Sequence, residues 1–293
     1  MNNITDLAEM HQPVSKLFPM VTKEDVEKYT LSKEQVEFWN TNGYVANIKL
    51  LDERQVEHLL KELNEIKEPE HPANRLFYEF HSNESTNPEK TLFHSLGHWR
   101  ITPGFHDVLW NPAFVVVASQ LLGGRAVRFW HDQLFCKPAH HGGVVAWHQD
   151  YSYWTRSVPM QHLTCWVALD DATKENGCLY YVPGSHKWGL IDKPELAGDM
   201  EGINRFLSPQ QKEEFRNKVP IEMKKGYAAF HHPLMVHGSY ENTSAHARRA
   251  FVLNVFADGT QSDTDEEILS GVPVIRKGQK LEGKFFPLLY EPQ

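Results

Sequence analysis

The sequence predicts a mainly β protein with flanking helices, in which the strands form a jelly-roll-like core. From residue 125 onward, short segments with β propensity are separated by glycine and proline, a pattern typical of a sandwich or a barrel. The helical signals are gathered mostly before residue 125, which indicates helices packed on one side of the strands. The predicted strands span about 44–48, 126–137, 144–149, 162–169, 178–183, 227–231, 235–239 and 248–256.

Capping signals locate the predicted helices. Ser32 and Gln35 have the spacing of a capping box, and this helix extends to about Asn40. Asp52 is the expected N-cap of a second helix, whose apolar residues recur with helical spacing at Val56, Leu59, Leu60 and Leu63. Two more helices are predicted from Asn111-Pro112 to Gly123-Gly124 and from Ser208-Pro209 to about Asn217.

One domain fits the whole chain of 1–293 better than two, because neither a repeat nor a low-complexity linker divides it. Residues 69–106 have the least regular pattern, and we expect either a lid over a substrate site or a structured insertion there. The predicted parts are an irregular N-terminal arm (1–30), a mostly helical flank (31–124), the β core (125–260) and a C-terminal tail (261–293).

Composition and charge exclude several classes of protein. The chain is 41% hydrophobic and 23% charged, which is ordinary for a globular protein. The formal charge of −8 argues against nucleic acid or an anionic membrane as partner. No apolar run reaches the roughly 18 residues that a membrane span needs. We therefore expect a small-molecule partner, while the oligomeric state is not predicted.

The three cysteines and the two chain ends indicate a compartment. An odd and small number of thiols (Cys136, Cys165, Cys178) cannot form a disulfide framework, which favours a reducing environment. The first residues lack the basic and apolar regions of a signal peptide, and the last residues are not a peroxisomal signal. We therefore expect a cytoplasmic protein.

The segment Trp147-His148-Gln149-Asp150 is the strongest candidate for chemistry. In an extended strand, side chains at positions i and i+2 lie on the same face, so His148 and Asp150 can bind one metal ion. His237 is the candidate third ligand, far downstream in another short apolar segment. Two histidines and one carboxylate on one side of a metal form the facial triad of non-haem Fe(II) oxygenases.

Histidine, serine and cysteine residues near these motifs have ordinary structural explanations. An isolated His-X-Asp pair is common, and the chain has 17 histidines. His231 and His232 precede a proline and are interpreted as strand-end or turn residues. Pro183-Gly184-Ser185-His186 combines serine with histidine, but its Pro-Gly pair predicts a type II turn rather than a serine nucleophile. Cys178 is interpreted as a packed thiol.

Five groups of residues occur in a specific order: Trp147-His148-Gln149-Asp150, Glu175-Asn176-Gly177-Cys178-Leu179, Val182-Pro183-Gly184-Ser185-His186, His237-Gly238-Ser239, and Arg248. This set resembles the phytanoyl-CoA dioxygenase (PhyH) family of Fe(II)- and 2-oxoglutarate-dependent oxygenases. The similarity extends from about Phe38 to Phe256. The resemblance implies a double-stranded β-helix, the cupin-like form of a jelly roll, with Fe(II), 2-oxoglutarate and O2 as cofactor and co-substrates.

The resemblance also implies roles for individual residues. His148, Asp150 and His237 would bind iron, and Arg248 would hold the distal carboxylate of 2-oxoglutarate. Ser239 would donate to the same carboxylate. Gln133 and Trp166 would line the co-substrate site, although Trp166 is also explained as a core residue. Because adjacent strand residues face opposite ways, Arg249 should lie outside the barrel.

The predicted substrate side of the site is less specific. By strand alternation His131 shares a face with Gln133 and Phe135, which we assign to the barrel interior. Tyr151, Tyr153 and Trp154 follow the metal motif and either line the substrate pocket or belong to the core. Some relatives carry a co-substrate-binding lysine before a Gly-His pair. The corresponding segment, Ser95-Leu96-Gly97-His98, has none, so His98 or Arg100 is the candidate replacement.

The leading functional hypothesis is a dioxygenase that hydroxylates an unactivated C–H bond of a small organic substrate and releases succinate and CO2. The carboxylate of Asp150 disfavours halogenation, since related halogenases lack it to make room for chloride. Desaturation, epoxidation and ring formation remain open. The alternatives from other classes are a non-catalytic protein that binds a metal or small molecule, and an isomerase on the same scaffold.

Overall fold

Most strands of the computed structural model, which describes residues 5–292, lie in two antiparallel sheets. The first four residues of the predicted arm and the last residue of the predicted tail fall outside this range. The strands are β1 (Tyr44–Lys49), β2 (Glu79–His81), β3 (Phe93–Leu96), β4 (Val127–Lys137), β5 (Val145–His148), β6 (Ser157–Val158), β7 (His162–Ala168), β8 (Leu179–Tyr181), β9 (Val219–Ile221), β10 (Tyr227–His231), β11 (His237–Ser239), β12 (Arg248–Ala257), β13 (Gln261–Ser262) and β14 (Leu288–Tyr290).

The two sheets form the jelly-roll core that the sequence predicts. The larger sheet has the order β1-β10-β7-β12-β4-β3-β2, with β14 also paired to β4, and the smaller sheet has the order β5-β11-β8-β9. A third, two-stranded sheet pairs β13 with β6. Strands from both main sheets line one cavity, so the cavity lies between them. The mainly β fold class is therefore confirmed.

The centre of the larger sheet is covered on both faces. Strands β4 and β12 pair from Arg248 opposite Lys137 to Ala257 opposite Val127. Every residue of β7 is buried, which is typical of a strand with packing on both sides. Since hydrophobic burial is the main stabilising contribution to folding, this central ladder provides a stable support for side chains that point into the cavity.

Six α-helices pack mostly on the outer face of the larger sheet, within the described range. Apolar residues of the third and fifth helices share a core cluster with strand residues such as Leu163, Val167 and Phe251. The helices are α1 (Lys23–Tyr29), α2 (Lys33–Asn42), α3 (Glu53–Ile66), α4 (Pro103–Asp107), α5 (Pro112–Leu121) and α6 (Pro209–Glu214).

The predicted helix starts agree with the structure. The Ser32 hydroxyl accepts a hydrogen bond from the Gln35 amide at 3.3 Å, and the Gln35 side chain accepts one from the Ser32 amide at 2.9 Å. Asp52 caps α3 in the same way, with its carboxylate 2.8 Å from the Gln55 amide. Each box satisfies backbone N–H groups that a helix leaves unpaired at its first turn.

Two segments differ from the prediction, residues 23–29 and the tail, while residues 69–106 agree with one of the two predicted alternatives. Residues 23–29 form a helix where we predicted an irregular arm, because Thr22 and Asp25 make a capping box that the sequence interpretation overlooked. Residues 69–106 include a hairpin, β2–β3, that extends the larger sheet, so this part is a structured insertion. The predicted tail returns to the sheet, where Leu288 lies opposite Arg128 in β4.

None of the helices within residues 5–292 is long and apolar enough to cross a membrane.

Candidate active site

The three candidate metal ligands converge where two strands of the smaller sheet meet. His148, the last residue of β5, lies directly opposite His237, the first residue of β11. Their ring centroids are 4.2 Å apart. Asp150 begins a short 3-10 helix immediately after β5. One ligand atom from each of the three residues lies within 4.8 Å of the other two, and all three residues are buried.

Backbone hydrogen bonds orient both imidazoles toward the same point. His148 Nδ1 lies 2.7 Å from the Ala146 carbonyl oxygen, and His237 Nδ1 lies 2.9 Å from the Met235 carbonyl oxygen. A carbonyl only accepts, so each Nδ1 carries the proton and each Nε2 presents a lone pair. The two Nε2 atoms are 3.3 and 3.6 Å from Asp150 Oδ1. Two neutral nitrogens and one carboxylate oxygen suit Fe(II).

The second oxygen of Asp150 is held by two donors. Asp150 Oδ2 accepts from the Thr164 hydroxyl at 2.6 Å and from His231 Nε2 at 2.9 Å. His231 Nδ1 lies 2.8 Å from the Tyr181 hydroxyl. Because the carboxylate only accepts, His231 donates through Nε2 and receives the Tyr181 hydroxyl hydrogen at Nδ1. This chain of hydrogen bonds leaves Oδ1 of Asp150 to face the two imidazoles.

His231 was not predicted to belong to the site. The proline two positions later made this residue resemble a turn residue, whereas it ends β10 and points into the cavity. Strand alternation along β10 was the available signal, but the sequence alone did not show that β10 lies opposite Asp150.

The protonation states favour metal binding. Burial by itself raises the pKa of Asp150, but the contacts with His237, His148 and His231 lower it well below its ordinary value. Burial, reinforced by the neighbouring His148 and His231, lowers the pKa of His237 well below its usual range. An ionised carboxylate and a neutral imidazole are the forms that a metal ion requires.

Arg248 lies in the same cavity and has a free donor. It is fully buried at the start of β12, with its guanidinium carbon 5.5 Å from the centre of the Trp166 ring. Burial lowers the pKa of Arg248 to about 10, so the side chain stays charged at neutral pH. Among the described residues, Nε of Arg248 has no hydrogen-bond partner. A buried cation with an unused donor fits the carboxylate of a ligand.

Arg249 points the other way, as predicted. Its guanidinium makes two hydrogen bonds of 2.7 Å with Asp170, outside the cavity lining. The contrast follows from strand geometry, since neighbouring side chains project to opposite faces.

Ser239 supports Arg248 instead of presenting a free donor. Its hydroxyl donates to the Gly177 carbonyl at 2.8 Å and accepts from Arg248 Nη2 at 3.0 Å and from Lys137 Nζ at 2.6 Å. The predicted donation from Ser239 to a co-substrate is therefore not the arrangement seen in the structure, because the single hydroxyl hydrogen is already used.

Lys137 is a second residue that the sequence interpretation missed. It is fully buried and lies opposite Arg248 in the β4–β12 ladder. Its ammonium group also donates to the Ser239 and Tyr240 carbonyls. Burial and the nearby Arg248 lower the pKa of Lys137 well below its ordinary value. Lys137 fixes the end of β11 and the hydroxyl that orients Arg248.

Gln133 and Trp166 line the cavity, as the family resemblance implied. The predicted replacements for the missing lysine are wrong, since His98 pairs with Asp132 at 3.1 Å and Arg100 pairs with Asp6 at 2.7 Å, both away from the cavity.

His94, on β3, also lines the cavity, and it is not among the predicted site residues. Its Nε2 lies 3.0 Å from the Gln133 amide oxygen, and its Nδ1 lies 2.9 Å from Glu84 Oε2. Its ring also stacks on that of Phe135, with centroids 4.5 Å apart.

Three of the four predicted substrate residues face the cavity. His131 and Trp154 both line it, with ring centroids 5.5 Å apart in an edge-to-face arrangement. Tyr151 does not, because its hydroxyl donates to the Ser157 carbonyl and its ring joins the core. Tyr153, the other tyrosine of this predicted group, lines the cavity.

A register shift in the β4–β12 ladder brings an additional aromatic residue into the lining. Asn254 pairs with His131, but Val255 pairs with Phe129, so Trp130 is an extra residue in β4. This local bulge allows Trp130 and His131 to face the cavity together, which strict alternation would forbid.

The predicted turn at Pro183-Gly184 is confirmed. Gly184 has φ 83° and ψ −10°, and the Ser185 amide donates to the Val182 carbonyl, as in a type II turn. The Ser185 hydroxyl accepts from the Val236 amide and donates to the Met235 sulfur, and within residues 5–292 it makes no hydrogen bond to a carboxylate or an imidazole. Ser185 is therefore a structural residue, and Cys178 is a buried thiol whose pKa burial raises to about 11.

The cavity has a volume of about 230 Å³, and we divide its lining residues into two groups. We call the region around the three candidate ligands, Arg248, Ser239 and Trp166 the inner end. We call the region lined by Glu79, Glu84, His94, Trp130, Tyr153, Trp154, Arg156, Ile268 and Leu269 the outer end.

Fold and site together define a class: a jelly-roll protein with a facial His-Asp-His site beside a buried arginine. The model of the phytanoyl-CoA dioxygenase (PhyH) family matches residues 39–250, and the chain belongs to this family. It is 29% identical over 270 residues to a phytanoyl-CoA dioxygenase of Arabidopsis thaliana, covering 82% of this chain and 94% of that protein.

Solved structures share the fold. The carbocyclase SnoK from nogalamycin biosynthesis, described as non-heme and alpha-ketoglutarate-dependent, superimposes with a TM-score of 0.73 at 23% identity. The match covers 93% of this chain and 100% of SnoK. The epimerase SnoN of the same biosynthesis gives a TM-score of 0.70 at 21% identity, covering 93% and 98% of the two chains.

Proposed function

We propose that this protein is an Fe(II)- and 2-oxoglutarate-dependent dioxygenase that hydroxylates an unactivated C–H bond of a small organic substrate, with release of succinate and CO2. The observation that carries the proposal is the presence of two kinds of binding group in one buried cavity. A facial set of neutral imidazoles and a carboxylate lies beside a charged arginine with an unused donor. A site that binds only a metal does not require the arginine, and a site that binds only an anion does not require the metal ligands.

His148, Asp150 and His237 would hold the iron, and Arg248 would hold the distal carboxylate of 2-oxoglutarate. Iron bound there supplies the oxidation of a substrate C–H bond by O2, coupled to oxidative decarboxylation of 2-oxoglutarate. The remaining contributions come from the protein. Thr164 and His231 keep one oxygen of Asp150 occupied, so the carboxylate offers a single fixed oxygen to the metal.

The surroundings of Arg248 should strengthen its binding of a carboxylate. The Trp166 ring covers the guanidinium, and Ser239 holds one of its nitrogens at 3.0 Å. Exclusion of water strengthens a charge-assisted hydrogen bond, and a fixed orientation reduces the entropy lost on binding. The remaining donors of Arg248 are thus positioned before the co-substrate arrives.

Asp150 supports hydroxylation over halogenation. A halide can bind the metal only where the carboxylate ligand is missing, and Asp150 is present and ionised. Ring formation or desaturation would need the same iron site and differ only in where the substrate carbon lies.

Anaerobic spectroscopy tests the proposal. Addition of Fe(II) and then 2-oxoglutarate to the purified protein should produce a visible charge-transfer band, which Fe(II) with succinate should not produce. Under air, substrate should stimulate the release of succinate. A protein that only binds metal, or an isomerase that uses no cofactor, gives neither signal, and the lack of the band in metal-loaded protein contradicts the proposal.

A further inference from the structure

The outer end of the cavity contains a carboxylate that the proposed chemistry does not use. Glu84 follows β2, lines the cavity and keeps about a quarter of its side-chain surface (25%) exposed. One of its oxygens, Oε2, lies 2.9 Å from His94 Nδ1. Within residues 5–292 the other oxygen, Oε1, makes no hydrogen bond. Glu84 therefore presents an unused acceptor in a site where a substrate must lie.

The carboxylate of Glu84 is ionised. Partial burial by itself raises its pKa, but the hydrogen bond and charge of His94, with a contribution from His81, lower the pKa below its ordinary value. Gln133 holds the His94 ring at Nε2 and Phe135 stacks on it, so the imidazole beside Glu84 is rigidly placed. A rigid, charged acceptor at the edge of a cavity is suited to recognise a hydrogen-bond donor.

Carboxylates outnumber free cations at the same end of the cavity, which disfavours an anionic substrate. Of the arginines and lysines among the described residues, Arg248 and Arg156 are those that line the cavity, and Arg248 belongs to the inner end. Arg156 donates to the carbonyls of Glu267 and Ile268, at 2.6 and 3.2 Å. A second carboxylate, Glu79, also lines the outer end. A CoA thioester, with its several phosphate charges, would meet carboxylates here.

The cavity is small and its outer walls are aromatic. Its volume of about 230 Å³ is below the roughly 300–1,000 Å³ of typical small-molecule sites, and 2-oxoglutarate would take part of it. Trp130, Tyr153 and Trp154 line the outer end. Such walls favour a compact apolar group or a cation, which is attracted to aromatic faces.

We propose that Glu84 is a substrate-recognition residue that accepts a hydrogen bond from an ammonium or hydroxyl group. The substrate is then a small amine or alcohol, and not a carboxylic acid or an acyl-CoA thioester. The inference rests on the proposed function, because it takes the inner end to be occupied by metal and 2-oxoglutarate.

Ligand-observed NMR with isosteric probes tests the inference. The full-length protein is loaded with Zn(II) and 2-oxoglutarate, which prevents turnover, and titrated with phenylpropylamine, phenylpropanol, phenylpropanoate and hexanoyl-CoA. The amine should bind about tenfold more tightly than the carboxylate, with the alcohol between them, since a charge-assisted hydrogen bond contributes this much. Glu84→Gln should remove the preference for the amine.

A matched control is Glu89→Gln, which makes the same charge change at an exposed residue of the β2–β3 connection, outside the cavity lining. It should keep the preference of the wild type. Affinity for 2-oxoglutarate, measured on each variant, confirms that the fold and the inner end are intact.

Three results overturn the inference: binding of phenylpropanoate or hexanoyl-CoA as tight as that of the amine, no saturable binding of the amine, or an amine preference that survives Glu84→Gln. The titration is repeated on metal-free protein. An amine preference there, without the charge-transfer band of the Fe(II) form, would contradict the proposed function alone. The band without the preference would contradict this inference alone.

Discussion

The inner and outer ends of the cavity are built in different ways. At the inner end most of the important side chains lie on paired strands, and Asp150 begins a 3-10 helix just after β5. His148 is opposite His237, and Arg248 is opposite Lys137 in the β4–β12 ladder. The outer end combines strand residues with residues outside the strands, such as Glu84 and Tyr153. Arg156 there holds a loop that contains Ile268.

This difference indicates which side chains the fold holds in fixed positions and which segments can change in sequence and length. Strand pairing fixes the positions of His148 and His237, and hydrogen bonds from Thr164 and His231 hold Asp150 through its second oxygen. Loops tolerate changes in sequence and length better than paired strands do. We infer that the inner end determines the type of reaction and the outer end determines the substrate.

The largest expected effect is at the metal site. His237→Ala removes one nitrogen donor from the centre of the smaller sheet, so the affinity for Fe(II) and the release of succinate should both be abolished. Metal content after dialysis and substrate-dependent succinate release measure the two losses. Turnover at the wild-type rate, in a folded variant whose metal content has been measured, would show that His237 is not a required metal ligand. The inner end would then not determine the reaction in the way we infer.

The next largest effect concerns the co-substrate. Arg248→Met removes the buried cation, and the affinity for 2-oxoglutarate should fall about 100-fold, as expected for the loss of charge-assisted hydrogen bonds. Arg249→Met is the control, because its partner Asp170 is outside the cavity. Equal losses of 2-oxoglutarate affinity in the two variants would show that Arg248 has no specific role.

The parts of the site that could be predicted from sequence lie on regular strands. A spacing of two residues places His148 and Asp150 on one face, and alternation separates Arg248 from Arg249. Both relations depend only on local geometry, which short apolar segments reveal. The seven predicted strands of the core were also found because glycine and proline mark their ends.

The residues that sequence missed depend on contacts between distant segments. His231 belongs to the site because β10 brings it within 2.9 Å of Asp150, and Lys137 because it meets Ser239 across the fold. No local pattern encodes such pairs. Tyr151 was predicted wrongly for a different reason. After Asp150 the chain forms a 3-10 helix, so the side chain that shares the face of Asp150 is three residues on, at Tyr153.

A smaller effect is expected from the support of the metal site. Tyr181→Phe removes only the hydroxyl that lies 2.8 Å from His231 Nδ1, which frees His231 to change its orientation beside Asp150. Metal affinity should fall about tenfold, which is the smaller of the losses expected when a residue that orients a metal ligand is changed. Isothermal titration with Co(II) measures it.

Tyr180→Phe serves as the control, since Tyr180 packs on Trp147 and Tyr240, away from the metal site. The thermal midpoint of both variants without metal separates a positioning role from general stability. If Tyr181→Phe lowers the thermal midpoint but leaves the Co(II) affinity unchanged, the hydroxyl is only structural.

The smallest effect should appear at the outer end. Arg156→Gln removes the donors that hold the carbonyls of Glu267 and Ile268, so amides in residues 264–272 should exchange hydrogen faster by several-fold. Affinity for 2-oxoglutarate should stay unchanged, because Arg248 and Trp166 do not depend on this loop. Hydrogen-exchange mass spectrometry compares the variant with Arg216→Gln, which removes an exposed ion pair elsewhere. Faster exchange that also reaches β5 or β11 would show that the two ends are coupled. It would contradict the inference that the strands hold the inner end in place independently of the surrounding loops.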